Sequence, residues 1–560
     1  IYTKTPNYFY NYFKSVFSPA DQTVPVPLFA TGAHPDGNYV EYELIFTWQL
    51  VCKSMQQLSP DSSPGPDKIH PRILKTFAPQ ISIPLAMIFN KSLRSSVLPY
   101  NWNQATVTPV YNGKGNSSFC KNFRPISLTS HCCKIMERII KTWLLKHFYD
   151  QKLITKCQHG FLSGRSTLTN LLTCLFDWSS ALDEGDYVDV IYLDVAKAFD
   201  TVPHSKLLKV LQDYKVPEKL VFWIKAFLSD RKQRVKIEGV FSDEVEVTSG
   251  VPQGSVLGPV LFLVFINSLP LVLKHCKIQI YADDTKIYFR FPKSVRPVEM
   301  QEDLDAVIAW FDHWGLKVAP EKCFVVPLSL TTNRVPIEYK IHGQTVPVVH
   351  DKIRDLGVNF TANLKVRPHI DEIRSKANSR VGLFFRCFQT RNSKFLTDLF
   401  RVYVQSLVEY AIPAWNPYLI SDILALESVQ RNFTRRLLPD PLLTYPDRLR
   451  VLNMQPLELR RLHVDMIELF KVITNRSGLA FEEFLEYEGE SRTRKSNNLQ
   501  LTMKFKRTTF GLQSFFARTS KVWNSLPMEV VHSGSIELFR EKLNQLDLTN
   551  FLICFPNKYV

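Results

Sequence analysis

Two apolar runs meet at a pair of acids in Ile278-Gln279-Ile280-Tyr281-Ala282-Asp283-Asp284-Thr285-Lys286-Ile287-Tyr288-Phe289. The flanking apolar residues predict two strands joined as a hairpin, with the acids at its tight turn. An ordinary solvated Asp-Asp turn has the same local pattern. A second run, Val188-Asp189-Val190-Ile191-Tyr192-Leu193, reads as a strand buried on both faces and ends at Asp194. That places a third acid at a sheet edge beside a loop, where site residues gather. Three carboxylates can then converge. Hard divalent ions such as Mg²⁺ take oxygen ligands of this kind, and a two-metal site can activate a 3′-hydroxyl and stabilise a leaving pyrophosphate.

The rest of the chain fits a mixed α and β protein with a central sheet. Ser205 to Tyr214 reads as a helix and Arg234 to Val247 as paired short strands, while the pattern beyond about residue 360 is mostly helical. Ser59 to Asp67 is a turn-rich loop that ends a polar N-terminal segment. Val256 to Leu273 is apolar, but Gly258, Pro259, Asn267 and Pro270 interrupt it. It therefore predicts a buried core helix, not a membrane span. At 560 residues the chain is too long for one ordinary domain. Its 69 Lys and Arg against 53 acids leave a net charge of +16. Such an excess favours a polyanionic partner, nucleic acid first and an acidic membrane surface second. Basic clusters at Arg367 to Arg391, Arg431 to Arg436 and Arg492 to Arg507 are each either phosphate contacts or solvated faces. The ten cysteines include no C-x-x-C pair, and His131-Cys132-Cys133 and Cys157-x-His159 lack zinc spacing. Reduced, intracellular thiols and no zinc are expected. The opening Ile1 and a start without an apolar signal core point to a fragment of something longer, with no targeting signal.

Eight boxes occur in a fixed order: Ser63-Pro64-Gly65-Pro66-Asp67, Phe123-Arg124-Pro125-Ile126-Ser127-Leu128, Gly160-Phe161-Leu162-Ser163-Gly164-Arg165-Ser166-Thr167, Leu193 to Asp200, Gly250 to Pro259, Tyr281-Ala282-Asp283-Asp284, Lys322, and Leu356-Gly357-Val358. In these boxes the sequence resembles the reverse transcriptases of non-LTR (LINE-type) retrotransposons, most closely the jockey-like group. Glu409-Tyr410, Trp415-Asn416-Pro417 and Trp523-Asn524-Ser525-Leu526-Pro527 look like the regions that follow the polymerase in such elements.

The resemblance implies an α+β right-hand polymerase of fingers, palm and thumb with a mostly helical C-terminal region. Its boundaries would be an N-terminal extension over 1–60, fingers and palm over 61–360, a helical thumb over 361–445 and a basic, mostly helical region over 446–560. It implies Asp194, Asp283 and Asp284 as carboxylates for two Mg²⁺ ions, with Mn²⁺ as a substitute, and Lys322 as proton donor to pyrophosphate. An exposed lysine is the other reading of Lys322. Lys114 and Arg124 match the fingers cations that clamp a triphosphate, a plain electrostatic requirement. Backbone N–H groups around Val195, Lys197 and Ala198 would face the nucleotide. Phe199 falls where a bulky ring collides with a ribose 2′-hydroxyl, or else it is a core phenylalanine. Gln253 would line the base and template side and Gly254 would permit close backbone approach. Arg431, Arg435 and Arg436 would grip the nucleic-acid backbone.

Two departures from the family pattern stand out. Leu162-Ser163 replaces the usual Arg-Pro, which bears on template contacts, and Ala319 replaces an asparagine in the loop that presents Lys322. Residues 1–60 hold too little chain for a nuclease core, so an upstream endonuclease part of the same polyprotein is expected to supply the primer end. The expected partners are an RNA template, a DNA primer or target and deoxynucleoside triphosphates, with no membrane. The expected activity is RNA-directed DNA polymerisation in target-primed reverse transcription, in the nucleus at the integration site. Two alternatives remain: a decayed or host-adopted relative that only binds RNA, against which the intact acids, Arg124 and Gln253 argue, and an RNA polymerase copying RNA, against which Phe199 speaks.

Overall fold

The computed structural model describes residues 5–17, 43–113, 115–331, 334–487, 499–502 and 507–555. Lys114 and most of the basic stretch 492–507 lie outside the described residues.

Helix α1 (Pro6–Lys14) buries Phe9 and Phe13, four residues apart on one face. Strands β1 (Gln104–Tyr111) and β2 (Phe123–Leu128) are antiparallel, with Val110 opposite Arg124. Helix α2 (His131–Asp150) is capped by Ser130, whose hydroxyl accepts from the Cys133 N–H. Helix α3 (Thr167–Glu184) begins with a Ser166/Thr169 capping box and stops at Gly185, at φ 92°. Strand β3 (Tyr187–Leu193) is buried on both faces, as its largely apolar run predicts, and the one acid within it, Asp189, is ion-paired with Arg334. A single helical turn, α4 (Ala198–Thr201), follows. The helix expected over Ser205 to Tyr214 spans His204–Asp213, and the expected short strands are β4 (Arg231–Ile237) and β5 (Val245–Val247). Helix α5 (Gly258–Ile266) is buried at every residue but Pro259. It is the core helix expected there, and no helix among the described residues is long and apolar enough to cross a membrane. Strands β6 (Lys277–Tyr281) and β7 (Asp284–Phe291) form the hairpin around the two acids. Helix α6 (Glu299–Trp314) and strand β8 (Phe324–Leu328) come next. Helices then dominate, among them α7 (Arg367–Cys387), α8 (Ile420–Leu437), α9 (Leu457–Ile473) and α10 (Phe515–Trp523).

These elements divide into two compact units, each assembled from separated stretches of chain. The first comprises Ile1–Phe161, Leu193–Thr285 and Glu299–Lys322. Its five-stranded sheet places β1 between β2 and β4, with Thr106 of β1 parallel to and opposite Arg234 of β4. Phe9 and Phe13 of α1 share a core with Val107, Cys120 and Val235, so the N-terminal helix is part of this sheet's packing. Each such fully buried aromatic contributes on the order of 1.5–3 kcal/mol by leaving water.

The second unit comprises Leu162–Tyr192, Lys286–Val298 and Cys323–Val560. Strand β3 lies between β7 and β8, antiparallel to β8 with Val190 opposite Val326. Trp178 of α3 packs edge-on to Tyr288 of β7 at 5.8 Å. Lys286 is buried and ion-paired with Asp355, which also accepts from the Tyr192 hydroxyl at 3.0 Å. The late motif residues are structural pins. Glu409 receives two bonds from Arg460 at 2.5 and 3.2 Å, the Trp415 indole N–H donates to the Tyr410 carbonyl, and Asn416 donates to Asp465. The Trp523 indole N–H donates to the Leu499 carbonyl and the Asn524 amide to that of Leu501.

Candidate active site

The turn Tyr281 to Asp284 needs Ala282 at φ 58°, a left-handed conformation that costs energy for a residue with a Cβ. A neighbouring segment holds it there. The Ile280 N–H donates to the Cys157 carbonyl and the His159 N–H to the Ile280 carbonyl, both at 2.9 Å. The Gln158 side-chain oxygen accepts from the N–H groups of Gly160 at 2.7 Å and Ala282 at 2.9 Å. Gly160 is required here for space, because a Cβ would lie 2.6 Å from the Ala282 nitrogen. Asp283 on this turn is half-buried and Asp284 is exposed. Burial raises the Asp283 carboxyl above its ordinary range, and the charge of Asp194 pushes the same way. Its own backbone N–H and the Arg124 guanidinium oppose them. Asp194 and Arg124 therefore both act electrostatically on Asp283.

Asp194 follows β3, and the chain just after it pairs with the segment before Lys322. Val195 bridges Val318, the Ala196 N–H donates to the Lys317 carbonyl at 2.8 Å, and the Ala319 N–H donates to the Asp194 carbonyl at 2.9 Å. The Lys322 N–H then returns to the Ala319 carbonyl at 2.9 Å. This places the Lys322 Nζ 3.2 Å from the Asp194 carboxylate. The loop is presented by main-chain bonds, so alanine at 319, which is buried, serves where an asparagine was expected. Both side chains of the ion pair are about half exposed, so its contribution to stability is small.

The turn α4 is stitched to the loop before α5. The Val251 N–H donates to the Phe199 carbonyl at 2.7 Å, the Gly250 N–H to the Val202 carbonyl at 2.8 Å, and the Ser249 hydroxyl to the Asp200 carbonyl at 2.8 Å. The Gln253 amide donates to the Asp200 carboxylate at 2.8 Å, and its carbonyl accepts from the Ser127 N–H at 2.8 Å. Gly254 lies at φ 108°, and a Cβ there would fall 2.5 Å from the Ser127 carbonyl oxygen. The close approach expected of Gly254 is thus made to β2, three residues from Arg124. Burial pushes the Asp200 carboxyl up to about 6, opposed by the Gln253 amide and by Lys197. Buried Glu137 of α2 accepts from the N–H groups of Val256 at 2.7 Å and Leu257 at 3.0 Å, fixing the far side of the same loop. Phe199 is half-buried, stacked on Phe262 of α5 at 4.5 Å and edge-on to Phe161 at 6.3 Å. Lys197 caps α4 in a left-handed conformation, φ 50°.

The first unit thus holds Asp194, Asp283, Asp284, Lys322, Arg124, Val195, Lys197, Ala198, Phe199, Gln253 and Gly254. Lys114 is outside the described residues. Arg431, Arg435 and Arg436 lie on α8 of the second unit. Arg431 is half-buried over the Tyr445 ring at 5.3 Å, Arg436 is exposed over the Phe385 ring at 4.3 Å, and Arg435 is exposed. Among the described residues no three His, Cys, Asp or Glu side chains are gathered as a metal-binding group. Asp194 takes Lys322 as its counter-charge, and Asp284 stays exposed at the start of β7. The donor set nonetheless suits a hard cation: it is all oxygen, and the repulsion between Asp194 and Asp283 is the kind a divalent ion relieves. Sequence reasoning assigned no role to Gln158, Glu137 or Asp200. Glu137 left a signal, a lone acid among Ile135, Met136, Ile139 and Ile140, whereas the grip of Gln158 on Ala282 spans 124 residues of chain.

A model of the reverse transcriptase (RNA-dependent DNA polymerase) family matches residues 112–360. The chain is 29% identical over 353 residues to the "Probable RNA-directed DNA polymerase from transposon BS" of Drosophila melanogaster, covering 60% of this chain and 37% of that protein. It is 28% identical over 369 residues to the RNA-directed DNA polymerase from mobile element jockey of the same species, covering 64% and 40%. The jockey protein of Drosophila funebris gives 28% over 365 residues, 64% and 40%. The matches span about two fifths of the length of these relatives.

Proposed function

We propose that the chain, whose residues 112–360 match a model of the reverse transcriptase family, is the RNA-directed DNA polymerase of a jockey-like non-LTR retrotransposon. It extends a primer 3′-hydroxyl on an RNA template with deoxynucleoside triphosphates. The observation that carries this reading is Lys322 held 3.2 Å from the Asp194 carboxylate, in the unit that also contains Asp283 and Arg124. Residues 61–360 would serve as fingers and palm, 361–445 as thumb and 446–560 as a basic helical region. Target-primed synthesis would take place in the nucleus on a nick made by an endonuclease part of the same polyprotein.

Asp194 and Asp283 would be the principal ligands of the divalent ions, Mg²⁺ or in its place Mn²⁺, with Asp284 assisting. When bound, the metal supplies activation of the 3′-hydroxyl and charge neutralisation at the leaving pyrophosphate. Arg124, Lys197 and Lys114 attract the triphosphate. The Ala196 N–H is already spent on Lys317, and the backbone N–H groups of Val195, Lys197 and Ala198 would be the donors to its anionic oxygens. Lys322, an ammonium beside Asp194, donates a proton to the departing oxygen. The Phe199 ring, seated on Phe262, excludes a 2′-hydroxyl, and the Gln253 loop lies on the base and template side.

The test is primer extension on a homopolymer RNA template with Mg²⁺. The wild-type chain extends the primer, whereas Asp194→Asn and Asp283→Asn each abolish extension and leave RNA affinity within about two-fold, because duplex binding comes from dispersed lysines and arginines. Substantial extension by either variant overturns the site. A wild-type chain that binds RNA and extends nothing reduces the function to binding.

A further inference from the structure

The N-terminal helix α1 reaches the segment that follows Asp194. The Lys197 ammonium lies 4.0 Å above the centre of the Tyr12 ring. That distance suits a cation–π contact, in which the negative face of the ring attracts the charge. Burial and Cys120 raise the Tyr12 hydroxyl above its ordinary range, Lys121 and Lys322 oppose them, and Asp200 adds to the rise. The ring therefore stands among the cations and the acid around the α4 turn.

The helix is anchored at its other end to the connection between β1 and β2. The Tyr8 hydroxyl donates to the Ser118 carbonyl at 3.3 Å, and Phe9 packs edge-on to Phe123, the neighbour of Arg124, at 5.0 Å. The Asn7 side-chain oxygen accepts from the Asp243 N–H at 3.4 Å. On the side toward the Gln253 loop, Phe13, Val16 and Phe17 line one cavity with Asp200 and Gln253. One short helix thus touches the fingers hairpin, the turn after Asp194 and the loop on the template side.

We propose that Tyr12 is a positioning residue of the nucleotide site, its ring holding the Lys197 ammonium in place for the incoming triphosphate. This rests on the reading of Lys197 as a triphosphate contact. A lysine side chain free in solution samples many rotamers, and ordering it on binding costs entropy. A ring that holds the ammonium beforehand removes part of that cost, and the gain appears as affinity for the nucleotide. The chemistry is shared by any triphosphate, so the effect is the same for all four deoxynucleotides.

The test is single-nucleotide incorporation by the full chain on an annealed RNA template and DNA primer, reading KM and kcat separately. Tyr12→Phe keeps the ring face and stays within about two-fold of wild type, while Tyr12→Leu raises the nucleotide KM about five-fold with kcat and template–primer Kd unchanged. In a Lys197→Met background, Tyr12→Leu adds nothing further. Pentafluorophenylalanine at position 12 keeps the ring's shape and reverses its charge distribution, so it matches Tyr12→Leu in KM without loss of Tm; this variant decides the matter if Tyr12→Leu misfolds. A raised KM in Lys197→Met with no response in the Tyr12 variants overturns the proposal and leaves the nucleotide role of Lys197 standing. A Lys197→Met variant with wild-type KM overturns both. A KM that falls on removing the ring makes α1 a lid and overturns the proposal as well.

Discussion

Phe199 and Asp200 are adjacent in the chain and anchored to different partners. The Phe199 ring lies flat on Phe262, yet the residue keeps part of its surface open, so seating in the core and contact with a sugar are compatible. Core packing fixes the ring, and a fixed ring can discriminate where a mobile one would yield. Shortening it to valine would remove the proposed barrier while Phe262 remains below. Phe199→Val is expected to raise ribonucleotide relative to deoxynucleotide incorporation, measured as the ratio of kcat/KM values. An unchanged ratio in an active variant returns Phe199 to a purely structural role. Lys322 shows the same logic from the other direction. Its side chain is more than half exposed, as for most lysines, but main-chain bonds through Ala319 fix where it emerges.

At the scale of elements, the site is a set of loops tied together by side chains distant in sequence. Gln158 clamps the turn between β6 and β7, Glu137 holds the start of α5, and Asp200 joins α4 to the Gln253 loop. The burial of Asp200 at the last tie has a pH signature. The Asp200 carboxyl is raised from 3.8 to about 6 in the folded chain, chiefly by burial, so the native state holds its proton more tightly than the unfolded chain does. The stability this contributes is fully present below pH 3.8 and is lost as pH rises through about 6. Asp200→Asn stays neutral throughout and escapes that loss. The Tm of the variant minus that of wild type is therefore expected to grow between pH 4 and pH 7 and to level off above; a difference independent of pH would refute the burial of the Asp200 carboxyl as described.

Over the whole molecule, 69 basic against 53 acidic residues leave a net charge of +16, the term that would govern the proposed binding to nucleic acid. The basic cluster on α8 is not uniform. Arg435 and Arg436 are exposed, whereas Arg431 is half-buried against Tyr445. Replacing all three by glutamine is expected to weaken template–primer binding and to flatten the plot of log K against log salt by roughly two counterions, from Arg435 and Arg436. Titration of binding at several salt concentrations measures it. An unchanged slope makes the cluster an ordinary solvated face.

Local sequence determined β3, the hairpin around Asp283, the buried α5 and the helical region beyond residue 360, because apolar periodicity and turn residues act over a few neighbours. The ordered boxes are likewise a property of the sequence, and the assignment of the acids and Arg124 to a family pattern rests on them. The tertiary structure alone decided which distant groups support them. The Gln158 clamp on Ala282, the pairing that lets Ala319 present Lys322, the tie between Asp200 and Gln253 and the approach of Tyr12 to Lys197 each join parts of the chain far apart in sequence. Such contacts leave no periodic trace. They depend on where a buried donor or a close-packed backbone finds its partner, which is fixed only when the chain has folded.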